Sequence, residues 1–152
     1  MMNPTAISQT AAADQRMRWG RIVIGAVLLE VVLVALAVPL LPLVDNPLTG
    51  GAPDPSKDFT IFFLVVSAVA CAVGALAGWW VARPLSQRFV LHGAATGVVA
   101  TVIYLGICSI PPGTIPKAVA AYGTFWFLVA NGLRIIGAVL GASVRKLKVA
   151  LP

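Results

Sequence analysis

Charge is what this chain has least of. Asp, Glu, Lys and Arg make up only 11% of its 152 residues, against about 25% in a soluble domain. Scarce charge combined with long apolar runs excludes an ordinary water-soluble fold. Metal- and thiol-bearing residues are as scarce, with one histidine and two cysteines. Cys71 and Cys108 sit inside apolar runs, and no CxxC or Cys/His spacing surrounds them. A disulfide framework and a zinc site are therefore not expected, and both thiols read as small buried apolar groups. HExxH, GxSxG, a phosphate-binding loop and an intramembrane Asp pair are all missing. No catalytic residue, metal or cofactor is expected, and the chain reads as a non-enzyme.

What the sequence does contain is hydrocarbon, at 59% hydrophobic residues. Four runs stand out: 22–44, broken only by Glu30; 59–82, uncharged; 89–110, with His92 near its start; and 118–144, broken by Arg134. Each can cross about 30 Å of hydrocarbon at about 1.5 Å per residue. The runs show no dyad alternation, and four strands cannot close a barrel. The expected fold is an all-α membrane protein, a four-transmembrane-helix bundle with helices at about 20–44, 59–83, 89–110 and 117–145. Residues 1–18 read as a disordered tail ahead of one transmembrane domain spanning 19–148. Residues 45–58, rich in Pro, Gly and Asp, read as a water-exposed loop. Pro84 should end the second helix, Pro111, Pro112, Gly113 and Pro116 should separate the last two, and Pro39 and Pro42 should bend the first. The first run continues well past Ala35-Leu36-Ala37, so a cleaved signal peptide is not expected.

The net charge of +6 is not gathered into a patch for nucleic acid. It sits at the ends of the apolar runs, where it sets topology and meets anionic lipid. Arg16, Arg18, Arg21, Arg83, Arg88, Arg145, Lys146 and Lys148 flank one side; Lys57 and Lys117 flank the other. Eight against two places both termini and the middle loop in the cytoplasm, for a multi-pass protein of the inner membrane. Trp19, Trp79 and Trp80 fall near the inner interface, and Tyr122 and Trp126 toward the outer one.

The two halves follow a similar plan. Gly74-Ala75-Leu76-Ala77-Gly78 is echoed by Gly137-Ala138-Val139-Leu140-Gly141, and Gly25-Ala26 by Gly93-Ala94. The expected architecture is two tandem hairpins, with both ends inside. Gly74/Gly78, Gly93/Gly97 and Gly137/Gly141 have GxxxG spacing, which lets helix backbones approach. Packing inside the bundle is the first use expected of these glycines, and a homo-oligomer or membrane-partner interface is the other.

Glu30 and Arg134 carry the functional interest. Glu30 lies 11 residues beyond Trp19 and Arg134 lies 11 before Arg145, each about 16 Å into the membrane. An isolated charge there costs about 2.5–3.5 kcal/mol, so the two are expected to pair, with Asn131 as an added hydrogen-bonding group. Gly123, Ala130, Arg134, Gly137 and Gly141 share one helical stripe, and Ala26, Glu30 and Ala37 another. The pair serves either as a packing device or as a proton-, ion- or substrate-responsive site. His92 is expected to be interfacial and solvated. Ser67, Thr96, Thr101 and Tyr104 are expected to satisfy their hydrogen bonds locally or between helices.

The stretch GALAGWWVARPLSQRFVLHGAATGVVATVIYLG, residues 74–106, resembles small uncharacterised four-helix bacterial membrane proteins. That resemblance implies a fold and no activity. Gly25-Ala26-Val27-Leu28-Leu29-Glu30-Val31-Val32 is similar to the first helix of small multidrug resistance transporters. It implies a Glu30 that exchanges protons for cationic drugs. The long first loop, the lack of that family's helix-three tryptophan motif, and Arg134 depart from the pattern. The leading expectation is a structural, accessory or regulatory bundle, with a small proton-coupled transporter or channel using Glu30 as the alternative.

Overall fold

A computed structural model describes residues 17–37, 60–85, 87–110 and 114–150, with side chains described at 17–36, 64–85, 87–110 and 123–144. Four helices make up these residues: α1 (Trp19–Ala37), α2 (Thr60–Ala82), α3 (Phe89–Ser109) and α4 (Thr114–Ala150). There is no strand among the described residues. Each helix contains a stretch long and apolar enough to cross a membrane, and each stretch buries only 28–33% of its residues in the bundle. Most of this apolar surface, Val31, Leu76, Val102 and Leu128 included, faces outward. A surface of that kind suits lipid and marks a multi-pass membrane protein. In hydrocarbon a helix satisfies its own backbone, so the β-branched residues that weaken helices in water carry little penalty.

Residues 1–16 of the expected tail (1–18), the bend at Pro39 and Pro42, the loop at 45–58, the break at Pro111, Pro112 and Gly113, and the side chains of Tyr122, Arg145, Lys146 and Lys148 lie outside the described residues. α2 and α3 match their expected spans to within a residue at each end. α4 departs from a simple rod. Its backbone leaves helical geometry at Gly123 (φ 78°, ψ 145°). Gly123 therefore drops out of the stripe shared by Ala130 and Arg134, because the turn it would have continued is broken and the residue is exposed.

Glycine decides how the helices meet. A Cβ on Gly74 would lie 2.8 Å from the Arg134 carbonyl oxygen, and one on Gly78 would collide with that of Ala138. The reverse face is equally close, with Gly137 against the Cys71 carbonyl and Gly141 against that of Ala75. The numbers rise together, so α2 and α4 run side by side in the same direction. Gly93 approaches Ala138 and Ala142, and Gly97 approaches Ile135, so α3 runs antiparallel to α4. α4 is thus clasped by α2 and α3 at backbone distance, gaining van der Waals contact where lipid offers no hydrophobic drive.

α1 is attached differently. It packs on α2 and α3 and makes no helix-to-helix packing with α4 among the described residues. A Cβ on Gly25, its closest glycine, would meet only side chains of Val81, Thr96 and Trp80. Ala26, Leu29 and Leu33 bury against Ala70 and Ala100. At one end of the bundle, Leu85 and Phe89 plug the α2–α3 connection against Ala82 and Ala142.

Candidate functional site

Two polar layers hold α1 to the rest. The first lies at the end of the bundle where α1 and α3 begin and α2 stops. Arg21 Nη2 donates to the Trp80 carbonyl at 2.9 Å, and its guanidinium lies 4.3 Å from the Trp80 ring centroid. A cation on the last carbonyls of α2 also complements that helix's negative end. Arg83 stands 5.7 Å from the Trp79 ring.

His92 belongs to the same layer, and its placement corrects the expectation of a solvated residue. It is only 1% exposed. Its Nε2 accepts from the backbone N–H of Arg18 at 3.2 Å, and its Nδ1 bonds the Arg88 carbonyl at 3.0 Å. A main-chain N–H can only donate and a carbonyl can only accept, so the ring carries its proton on Nδ1. His92 thus caps α1 from α3, taking up one of the amides that a helix start leaves unpaired. It also anchors Arg88, whose left-handed φ of 56° opens α3. The proximity of position 92 to position 18, 74 residues away, left no local signal in the sequence.

The second layer is the membrane-depth pair. Arg134 Nε lies 3.6 Å from Glu30 Oε1, with both side chains at least nine-tenths buried. The two charges sit on helices that do not pack together, so their long side chains span the bundle diagonal. Arg134 Nη1 donates to Asn131 Oδ1 at 2.8 Å, while Asn131 Nδ2 donates to the Phe127 carbonyl. The Arg134 guanidinium also lies 4.0 Å from the Tyr104 ring centroid. A charge-assisted hydrogen bond contributes about 1.5–3 kcal/mol and a desolvated cation–π contact about 2 kcal/mol. Together with the ion pair these are of the size needed to hold two charges at depth.

At 3.6 Å the pair attracts but does not hydrogen-bond. Glu30 Oε1 and Arg134 Nε are both buried without a hydrogen-bond partner. Ser67 Oγ and Thr101 Oγ1 also lack one, against expectation, whereas Thr96 bonds the His92 carbonyl at 2.8 Å. Glu30 and Arg134 are also among the residues that line a cavity of about 400 Å³. Glu30, Arg134 and Tyr104 form its polar part, and Leu33, Val66, Val69 and Ala70 its apolar wall. Val34, Leu36 and Val65 are lining residues that are also exposed, and they form its rim. The cavity exists because glycine draws α4 onto α2 and α3 while the diagonal to α1 is left unfilled.

The six glycines at 74, 78, 93, 97, 137 and 141 lie away from this cavity, turned into the α2–α3–α4 contacts. Neither cysteine forms a disulfide among the described residues. No protein-family model, curated protein or solved structure matches this chain, so the two sequence resemblances bring no function with them.

Proposed function

We propose that this chain is a non-enzymatic accessory or regulatory bundle of the bacterial cytoplasmic membrane. In this reading it has two tandem hairpins, with both termini and the α2–α3 connection in the cytoplasm. The contrast between the two kinds of helix attachment carries the reading. α2, α3 and α4 interlock backbone to backbone through glycine, whereas the polar contacts of α1 with its neighbours each involve a side chain. A rigid three-helix frame with one separately fastened helix suits a part that shifts when something binds or when a partner docks. The parallel run of α2 and α4 supports the hairpin plan, and the basic end bearing Arg18, Arg21, Arg83 and Arg88 supports the orientation. The GxxxG faces are used up within the bundle, so a second copy or a membrane partner would dock on the outward apolar surface.

A small proton-coupled transporter or channel is the second reading, favoured by the cavity that reaches Glu30. Proteoliposomes carrying an imposed pH gradient separate the two. The accessory reading expects proton flux at the level of empty liposomes for both the native chain and Glu30→Gln. A flux that the native chain supports and Glu30→Gln abolishes would establish the transporter instead.

A further inference from the structure

We infer that the cavity between α1, α2 and α4 holds the alkyl chain of a membrane lipid, taken in sideways from the leaflet opposite the basic end of the bundle. Its walls at Leu33, Val66, Val69 and Ala70 are hydrocarbon, and Val34, Leu36 and Val65 bring it out to the exposed apolar surface. Its volume of about 400 Å³ lies within the range of small-ligand sites. An apolar cavity stays dry and takes apolar occupants, and a void between Leu and Val forfeits dispersion contacts that an alkyl chain restores. Glu30 Oε1 and Arg134 Nε lack hydrogen-bond partners but are shut off from accessible space. The cavity therefore grips methylenes and leaves the head group unread. Depth selects the leaflet. Counted along α1 from Arg21 at the basic end, Glu30 lies about 14 Å away and Leu36 about 22 Å. In about 30 Å of hydrocarbon the cavity thus starts near the midplane and rises through the far half only. α2 agrees, because Ala70 and Val65 lie about 18 Å and about 26 Å from Ala82, where that helix stops. A lipid of the far leaflet has its head beyond Leu36 and its chain end at the midplane, which is the cavity's own span and direction.

The inference rests on the membrane-bundle reading above but not on its regulatory part. The test places the full chain in phosphatidylcholine nanodiscs doped with a phosphatidylcholine that carries a diazirine at the methyl end or the middle of one chain. After photolysis, labelled residues are mapped by peptide mass spectrometry. Leu33 is buried, and Val66 and Val69 are partly so, so labelling there reports a chain inside the bundle. All three should be labelled within twofold of the outward Val31 and Leu64. The methyl-end probe should favour Leu33 and Val69, and the mid-chain probe Leu36 and Val65. Val34→Trp, at the exposed rim where the fold can tolerate it, should lower labelling of Leu33 and Val69 at least fivefold and leave Val31 and Leu64 unchanged. Ala130→Phe should do the same from the α4 wall. Exchanging the probe's head for phosphatidylglycerol should change the lining labels less than twofold. Labelling confined to outward residues overturns the proposal, and so does a lining signal that neither variant lowers. A reversed depth order overturns entry from the far leaflet, and a tenfold head preference overturns the grip on the chain alone. A disulfide between two copies of Val34→Cys, with the lining unlabelled, gives the cavity to a second copy instead. A chain that fails to enter the nanodisc fails the membrane reading itself; one that enters and keeps its lining unlabelled fails this inference alone.

Discussion

Arg134 has more company than Glu30. Besides the carboxylate it holds Asn131 and the Tyr104 ring, whereas Glu30 has Arg134 as its ion-pair partner among the described residues. Removing one member of a buried pair strands the other at about 3–5 kcal/mol, and the asymmetry says which loss is larger. Arg134→Leu should destabilise the bundle by about that amount, and Glu30→Leu by less, because Arg134 keeps two of its contacts. The double variant Glu30→Leu/Arg134→Leu should recover most of the Arg134→Leu loss, since no orphaned charge remains. Unfolding of the four proteins in mixed detergent–SDS micelles measures this cycle; simple additivity of the single losses would show that the two residues are not coupled. A second residue-scale test concerns His92. His92→Ala deletes two side-chain hydrogen bonds and takes from the Arg18 amide its acceptor on α3, while the Arg88 carbonyl keeps the main-chain N–H of residue 92, for an expected loss of about 1–3 kcal/mol. Hydrogen exchange should then rise at the start of α1 and not along α4. Residue counting from Trp19 and Arg145 put both charges at one level, and the two side chains do meet, at 3.6 Å. The burial of His92 was not legible in the sequence, because a position beside a helix start says nothing of what crosses over it.

At the scale of the helix, glycines of identical appearance have unequal roles. Gly78 faces the Ala138 carbonyl at backbone contact, whereas Gly132, on α4 itself, has nothing within 4 Å of where its Cβ would be. Gly78→Ala should therefore overpack the α2–α4 contact, costing about 1–3 kcal/mol. Gly132→Ala should stay within about 0.5 kcal/mol of native. The same SDS unfolding measurement compares them, and equal effects would deny glycine its packing role at the α2–α4 crossing. Helix existence was readable from the apolar runs, and so were the spans of α2 and α3, because a membrane fixes how long such a run must be. The bundle's lateral order was not readable in that way. Helices apolar on every side carry little periodicity to mark an inner face, so the unpacked α1–α4 diagonal, and the cavity it leaves, surfaced only in three dimensions. Gly123 was likewise read as one more member of a stripe, although its backbone breaks the helix there.

For the molecule as a whole, orientation is where chemistry at the helix ends becomes a statement about the cell. Arg18, Arg21, Arg83 and Arg88 gather at one end through contacts that join the start of α1, the stop of α2 and the start of α3. Gly93 against Ala142 brings the later part of α4 to that end as well. Whatever the direction of insertion, the α2–α3 connection and the start of α1 thus share a side. In the sequence, eight Lys and Arg flank the runs on one side against two on the other, and the orientation proposed above puts the richer side in the cytoplasm. The fold also supplies a reporter, because Gln87 is exposed in that short connection. In a background with Cys71 and Cys108 replaced by Ala, Gln87→Cys should react with a membrane-impermeant maleimide in inside-out vesicles and stay unlabelled in intact spheroplasts. Thr49→Cys, between the first two apolar runs, should show the opposite pattern. If both positions label from one side, an even number of crossings no longer separates α1 from the α2–α3 connection in the way the bundle requires. If the two patterns are exchanged, the bundle stands but inverted, and its basic end faces away from the anionic leaflet that the arginines were expected to meet.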